Sequence, residues 1–281
     1  MAPEKPNEMI FDLHSHTTAS DGELTPLALI SRARENGVAC LAITDHDTID
    51  AYGEFDCDLI DGVMLCPGVE LSANWHGRSV HVVGLRIRLE SSSLLKELEA
   101  QQNSRVERAE QIAGRLEKKG FDHAMEGARA FAGGDNIGRP HFAKFLVSIA
   151  AVRDERQAFK RYLGRGKIGD IQRGWPPVAS VTSWIRDAGG MAVLAHPAHY
   201  RLTNTKLGVL ADEFVEAGGT AMEVVSGKQS PELTRKLAEL AAEKGLLAST
   251  GSDFHRPGAA WSELGRQTAL PSHLKPVWDA W

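Results

Sequence analysis

The chain has 281 residues, 42% of them apolar and 25% charged, with a formal net charge of −5. That length holds one large α/β domain, or such a domain with a smaller insertion, and the composition excludes wholesale disorder. A negative sum excludes a duplex nucleic-acid platform held by electrostatics alone, although cations in a carboxylate-rich pocket would reverse the sign locally. The three cysteines, Cys40, Cys57 and Cys66, form no C-x-x-C pair. Cys40 and Cys66 fall in apolar runs and read as buried free thiols, which fits a reducing cytoplasm. Met1 to Asn7 is polar without a signal core, and no stretch approaches a membrane span. These features predict a soluble, cytoplasmic protein.

Met9 to Leu13 reads as a strand, followed by His14-Ser15-His16 and Asp21-Gly22. Residues i and i+2 of an extended chain share a face, so two imidazoles point the same way and Asp21 can hold a second ion. Thr25-Pro26 opens a capped helix that closes at Gly37. Val38 to Thr44 is a strand running into Asp45-His46-Asp47, Val63 to Val69 one running into Glu70, and Val80 to Gly84 one that contains His81. Asp47 reads as a partner that orients His46, and Trp75 as a half-buried loop residue with a secondary reading as a base-stacking surface.

From Ser91 to Trp175 the strand rhythm stops. Helices are predicted over Leu94 to Lys119, Ala124 to Phe131, Pro140 to Ala150 and Asp154 to Leu163, a helical insertion placed as a lid over the mouth. Arg139-Pro140 at a helix start leaves backbone N–H groups free for an anion, and Lys144, one turn on, is a candidate for a substrate's second phosphate. The rhythm resumes with a helix (Val178 to Ala188), a strand (Met191 to Ala195) running into His196-Pro197, a helix (Lys206 to Ala217) and a strand (Thr220 to Val224). A further helix (Pro231 to Lys244) leads to the strand Leu246 to Thr250, which runs into Gly251-Ser252-Asp253-Phe254-His255. Seven strands mostly followed by helices predict a parallel β/α barrel over residues 8–90 and 176–281, with the helical lid at 91–175. Metal-binding residue types at successive strand ends converge on one mouth. His76, His123 and His273 lie outside such contexts and read as solvated.

These motifs, Asp12-Leu13-His14-Ser15-His16, Thr44-Asp45-His46-Asp47-Thr48, Gly68-Val69-Glu70, Ala195-His196-Pro197 and Gly251 to His255, resemble the polymerase and histidinol phosphatase (PHP) family of metal-dependent phosphoesterases. Gly138-Arg139-Pro140-His141, Glu223 to Ser226 and Trp261 to Arg266 are similar to the branch containing RNase AM and 3′,5′-nucleoside bisphosphate phosphatases. The resemblance implies a distorted seven-stranded barrel with an inserted helical domain and three divalent ions. The first would be held by His14, His16, Glu70 and Asp253. Glu70 would bridge to a second with His81 and His196, and the third would sit among Asp21, His46 and His255; Glu223 is left off the ligand set. Mixed nitrogen and oxygen donors without thiolate suit Mn²⁺, Zn²⁺ or Fe²⁺. Relatives often carry Ala-His-Pro-x-Arg-Tyr where this chain has Ala195-His196-Pro197-Ala198-His199-Tyr200-Arg201, so His199 or Arg201 takes the phosphate-facing role.

The implied chemistry is hydrolysis of a nucleotide or a 5′-phosphorylated RNA end by metal-activated hydroxide, with Arg139 on the phosphate oxygens. A small-metabolite phosphatase such as histidinol phosphatase is the second enzyme reading. A non-catalytic PHP module of the kind that serves polymerases is the third.

Overall fold

The computed structural model describes residues 9–55, 59–60, 62–171 and 174–281. The readings for Met1 to Asn7 and for Cys57 fall outside those residues. Strands β1 (Ile10–Asp12), β2 (Val38–Ile43), β3 (Leu59–Ile60), β4 (Val63–Trp75), β5 (Arg78–Leu85), β6 (Met191–Leu194), β7 (Ala221–Ser226) and β8 (Leu247–Gly251) form one sheet. Its order is β1-β2-β4-β5-β6-β7-β8, with β3 hanging off β4. The first and last strands approach each other: Leu13 N donates to Thr250 O at 3.1 Å, and Asp253 N to His14 O at 2.9 Å. The result is a nearly closed seven-stranded barrel. Gly251 permits the closure, because a Cβ there would sit 2.3 Å from His14 Cβ.

Helices α1 (Pro26–Glu35), α6 (Val178–Asp187), α7 (Asn204–Glu216) and α8 (Pro231–Glu243) pack outside the sheet. The start of α1 follows from its sequence: Thr25 Oγ1 accepts from Ala28 N at 3.3 Å, and Pro26 occupies the first turn. Leu29, Ile30 and Ala33 then face inward at helical spacing.

The sheet departs from the parallel barrel at the off-path β3, antiparallel to β4, and along the barrel path at β5. β5 is antiparallel to both β4 and β6. β4 does not stop at Val69 but continues to Trp75, where His76 (φ 47°) and Gly77 (φ 77°) make a two-residue turn. Asn74 Oδ1 accepts from Gly77 N at 2.9 Å and fixes it. Glu70 therefore lies in mid-strand, not at a strand end. Trp75 is buried, not half-exposed in a loop, and its indole N–H donates to Glu213 at 2.8 Å. The short β3 had no counterpart in the sequence reading.

Between β5 and α6 the regular elements among the described residues are all helical: α2 (Ser92–Glu117), α3 (Ala124–Arg129), α4 (Arg139–Ser148), α5 (Glu155–Ala158) and a π-helical turn (Phe159–Leu163). They bury a cluster of their own around Ile112, Leu116, Phe142 and Leu146. No helix among the described residues is long and apolar enough to cross a membrane. Cys40 and Cys66 are free and buried, as expected.

Asp47 is the joint between helices and barrel. Its carboxylate accepts from Arg105 Nε at 2.6 Å, Ser72 N at 2.7 Å and Gln101 Nε2 at 3.0 Å. These bonds go to α2 and β4, so Asp47 does not orient His46 as the sequence suggested. Both Asp47 and Arg105 are buried. Asp47→Ala leaves an uncompensated buried guanidinium and should destabilise the protein by about 3–5 kcal/mol. Chemical denaturation checks this; a loss below about 1 kcal/mol, in the range of exposed ion pairs, would remove the joint's importance.

Candidate metal centre

His14 and His16 extend from β1 with their side chains on one face, while Ser15 between them turns away and donates to Ala42 O at 2.7 Å. The two Nε2 atoms come within 3.1 Å of each other. Asp253 Oδ1 lies 3.6 Å from His14 Nε2 and 3.4 Å from His16 Nε2. Glu70 is fully buried at the centre. Its Oε1 is 2.9 Å from both His81 Nδ1 and His196 Nε2, and its Oε2 is 2.8 Å from His46 Nδ1. On the far side His16, Asp21, His46 and His255 present donor atoms within 4.8 Å of one another.

All nine residues expected as ligands thus converge, in groups close to the implied ones. His14, His16 and Asp253 form one group, Glu70 joins His14 and His196 in another, and His46, Glu70 and His81 form a third. His196, His199 and Asp253 make a further group that the sequence reading had not assembled. Two backbone conformations help to aim these side chains: His196 (φ 26°) and Asp253 (φ 53°) sit in the left-handed region that non-glycine residues rarely occupy. Gly22 lets the Asp21 loop pass over β1's end, since a Cβ would meet His16 O at 2.3 Å.

The donor set fits divalent ions on the structure's own terms. His16 Nδ1, Asp21 Oδ1, His46 Nδ1, Glu70 Oε2 and His196 Nδ1 are buried without a hydrogen-bond partner. His46 Nδ1 and Glu70 Oε2 are close in distance but misaligned for a hydrogen bond. Orphaned buried polar atoms cost about 1–3 kcal/mol each, and so many in one place call for a cation. Burial opposes the charge on Glu70, yet His81, His46 and His14 outweigh it and hold the carboxyl well below its ordinary range. Burial works the same way at Asp21, where His46 and His255 win, and at Asp253, where His14 and His16 win. Burial, with His255 beside it, pulls His16 down to about 3, and burial lowers His81. Ionised carboxylates with neutral imidazoles are the protonation states that ligation requires. His14 and His255 run the other way. Burial lowers both, but Glu223 and Glu70 raise His14 above its usual value and Asp21 raises His255 to about 10, so cations would displace their protons.

Several supporting residues carry roles that the sequence did not disclose. Glu223, inside β7, sits 2.6 Å from His14 Nδ1 and accepts from His196 N at 2.6 Å. Its absence from the ligand set is consistent with that position; the signal was a carboxylate in an apolar strand. Asp12 accepts from Ser252 N at 2.8 Å and Gly265 N at 3.0 Å, tying β1 to the β8 loop and the tail. Burial raises its carboxyl to about 6. Glu263 of the tail grips Arg32 through two hydrogen bonds, 2.9 and 2.7 Å. His141 is buried, and its Nδ1 accepts from Gly138 N at 3.0 Å, closing the start of α4. His76, His123 and His273 are exposed, as expected, with His76 3.0 Å from Glu213.

A cleft of about 510 Å³ opens over the centre, lined by Asp21, His196, Asp253 and His255 together with Lys144, His199, Arg256 and Trp261. Lys144 reaches it while paired with Glu23 at 2.9 Å. His199 stacks on His196 at 5.0 Å between ring centroids. Arg201 is exposed and absent from the cleft wall; its backbone ends the 3₁₀ turn Pro197–Tyr200 in a left-handed conformation (φ 50°). Arg139 borders a smaller space beside His46 and His81, its guanidinium over the Phe159 ring.

A nearly closed barrel whose mouth concentrates imidazoles and carboxylates around one buried glutamate defines a metal-dependent hydrolase. Comparison with known proteins gives the family. The PHP-domain profile matches residues 12–128. The chain is 44% identical to the 5′-3′ exoribonuclease Rnm of Escherichia coli, covering 97% of this chain and 94% of that protein. It is 40% identical to the 3′,5′-nucleoside bisphosphate phosphatase of Chromobacterium violaceum, covering 95% and 94%. Among solved structures, an amidohydrolase from Chromobacterium violaceum superposes with a TM-score of 0.89 at 37% identity, over 96% of this chain and 95% of that one. The chain belongs to the PHP-domain family.

Glu223→Gln keeps the shape and removes the charge behind His14. It should weaken divalent-ion binding by about 10–100-fold, the usual scale for residues that orient a ligand. Competitive metal titration measures it, and an affinity equal to that of the unmodified protein would mean that Glu223 serves the fold alone.

Proposed function

We propose that the protein hydrolyses phosphate esters of nucleotides or of 5′-phosphorylated RNA ends, using three divalent ions of the Mn²⁺, Zn²⁺ or Fe²⁺ type. The observation that carries this reading is Glu70, a buried carboxylate shared by imidazoles from β1, β5 and the loops after β2 and β6, with further donors on both sides. The two named relatives, an exoribonuclease and a nucleoside bisphosphate phosphatase, support the same substrate class.

His14, His16, Glu70 and Asp253 would hold the first ion, Glu70, His81 and His196 the second, and Asp21, His46 and His255 the third. When bound, such ions supply activated water at neutral pH and neutralise charge on the phosphoryl group. The chain's own residues do the rest. Glu223 holds the His14 ring by its Nδ1, so that Nε2 faces the centre. Arg139 offers a planar fork to phosphate oxygens at the flank. His199 presents its edge to the cleft, while desolvation and the neighbouring His196 pull its pKa below the ordinary value. A neutral His199 donates one hydrogen bond to a phosphate oxygen or to the departing sugar oxygen. The helical segment 91–175 acts as the lid: Asn136 donates to His46 O at 2.7 Å, and Arg256 pairs with Glu155 at 2.6 Å across the rim. Size and charge favour this over a small-metabolite phosphatase, because a cleft of about 510 Å³ with Lys144, Arg256 and an exposed Trp261 has room for a nucleoside. The free buried thiols suit a reducing cytoplasm.

The test is turnover of adenosine 3′,5′-bisphosphate and a 5′-phosphorylated oligoribonucleotide by the metal-reconstituted protein, beside histidinol phosphate. His14→Ala and Asp253→Ala should each abolish activity in step with lost metal, with the fold retained by circular dichroism. Full activity in either variant, or turnover confined to histidinol phosphate, sinks the proposal. The cleft wall also ranks the two residues at the motif departure. His199→Ala should lower kcat/KM by about tenfold or more, whereas Arg201→Ala should stay within about threefold of wild type. The reverse order would give the phosphate role to Arg201.

A further inference from the structure

The outer part of the helical segment reverses the sign of the chain as a whole. Arg153, Arg156, Lys160, Arg161, Arg165 and Lys167 stand against only Asp154 and Glu155, an excess of four positive charges within residues 153–167 of a protein whose total is −5. All six cations are exposed. The outer helix α8 shows the ordinary solvated alternative, with Arg235 on Glu239 at 2.6 Å and Lys236 on Glu232 at 2.8 Å. In the helical segment the two carboxylates are already engaged. Asp154 accepts from Gln157 N at 2.7 Å and lies 2.9 Å from Arg153, while Glu155 pairs with Arg256 at 2.6 Å. Arg156, Lys160, Arg161, Arg165 and Lys167 make no salt bridge among the described residues.

The backbone beneath these cations is held. The π-helical turn Phe159–Leu163 continues α5 directly, and the loop beyond it folds back on itself. Gly169 N donates to Tyr162 O at 2.8 Å, Lys167 N to Gly164 O at 3.0 Å, and Arg115 of α2 donates to Ile168 O at 3.0 Å. Half-buried Tyr162 lies among the charges, its ring centroid 5.1 Å from the Arg161 guanidinium carbon. Position decides what such a surface meets. Glu155 and Phe159 line the large cleft, and Arg156 and Lys160 follow them in the chain, yet none of the six cations lines the cleft itself. The patch therefore starts at the rim, on the helical side. A nucleotide seated wholly in the cleft has no use for cations outside it, whereas a polyanion that continues past the rim does.

We propose that the exposed cations of residues 153–167 form a landing surface for the single-stranded body of an RNA whose 5′ end occupies the cleft. The proposal deepens the nucleotide reading above and rests on it, since the surface selects the polymer over the free nucleoside bisphosphate. Contacts to phosphates carry no sequence information, so the surface adds affinity with chain length and not with base identity.

Lys160, Arg161, Arg165 and Lys167 are replaced together by glutamine, which leaves the fold intact because all four side chains are exposed. The metal-loaded variant and wild type are compared on a 5′-phosphorylated oligoribonucleotide and on adenosine 3′,5′-bisphosphate. The kcat/KM on the oligoribonucleotide should fall by about tenfold or more, carried by KM, while the bisphosphate stays within about twofold. The loss of oligoribonucleotide affinity with added salt should flatten, by about 0.7 in log–log slope for each phosphate contact removed. Glutamine at Arg235 and Lys236 of α8, whose charges are paired, should change neither substrate. Equal losses on both substrates, an unaffected oligoribonucleotide, or a loss of the same size from the α8 variant would overturn the surface. If the wild type turned over neither substrate, the functional reading would fail separately. Fluorescence anisotropy of an oligoribonucleotide lacking a 5′-phosphate would then decide alone: weaker binding by the fourfold variant supports the surface, and equal binding ends it.

Discussion

Glu70 is a carboxylate with no exposure to solvent, and the rest of the structure is arranged round the cost of keeping its charge there. Removing a charge from water costs several kcal/mol even after relaxation, so the partners must be close and numerous. Five imidazoles supply them, from His14, His16, His46, His81 and His196, at 2.8–3.4 Å. Placing those rings at one depth explains the irregular sheet. Glu70 sits opposite Val83 in the β4–β5 ladder, and His81 is the diagonal neighbour two residues along, opposite Ser72. Side chains in that relation reach each other across antiparallel strands. The hairpin thus returns through a two-residue turn and brings His81 beside Glu70 only eleven residues on, where the connection alone of a parallel pair would take a dozen or more.

The loop after β2 faces two ways. His46 turns into the donor cluster, while its neighbour Asp47 (φ 53°) turns into the helices. Gln102 adds a bond to Asp47 O at 3.0 Å, and Asn136 one to His46 O at 2.7 Å. The helical segment therefore holds the main chain of the loop that carries His46. Lys144–Glu23 and Arg256–Glu155 fasten the opposite rim. A shift of α2 would pull on Asp47 and, through the chain, on its neighbour His46, which couples the helices to the centre through hydrogen bonds to the backbone.

Much of this was legible because ligand chemistry and strand geometry leave the same mark. His14 and His16 at spacing two, and Asp253 and His255 after an apolar run, declare both a strand end and a shared face. The capped α1 and the helices flanking β6 to β8 followed from Pro, Gly and apolar periodicity. The hairpin was hidden, since His76-Gly77 is not the Asn-Gly or Asp-Gly pair that announces such a turn. Asp47 was misread because adjacency to His46 says nothing about which way each side chain points. A non-glycine residue at positive φ, invisible in the sequence, sends it to Arg105 instead. Arg201 looked like a displaced phosphate contact by sequence shift alone, yet a 3₁₀ turn carries His199 to the cleft and leaves Arg201 outside.

The arginines of α2 were the deepest omission, and their pattern was present. Leu94, Leu98, Gln101, Arg105, Arg108, Ile112 and Leu116 fall on one helical stripe, and all are buried. The apolar ends of the stripe pack as core, whereas its middle carries amide and guanidinium groups at positions that periodicity assigns to leucine. A helix selected for stability alone would place apolar side chains there, since replacing buried ions by well-packed hydrophobic residues is commonly neutral or stabilising by about 1–4 kcal/mol. Gln101 and Arg105 are accounted for by Asp47 and Ser72 on the barrel. Arg108 packs differently: its Nε donates to Ile171 O at 3.1 Å and its guanidinium lies over the Trp175 ring. A break in an apolar stripe is thus a mark of buried polar packing, here a structural joint at Gln101 and Arg105 and, at Arg108, a cation held between Ile171 O and the Trp175 ring.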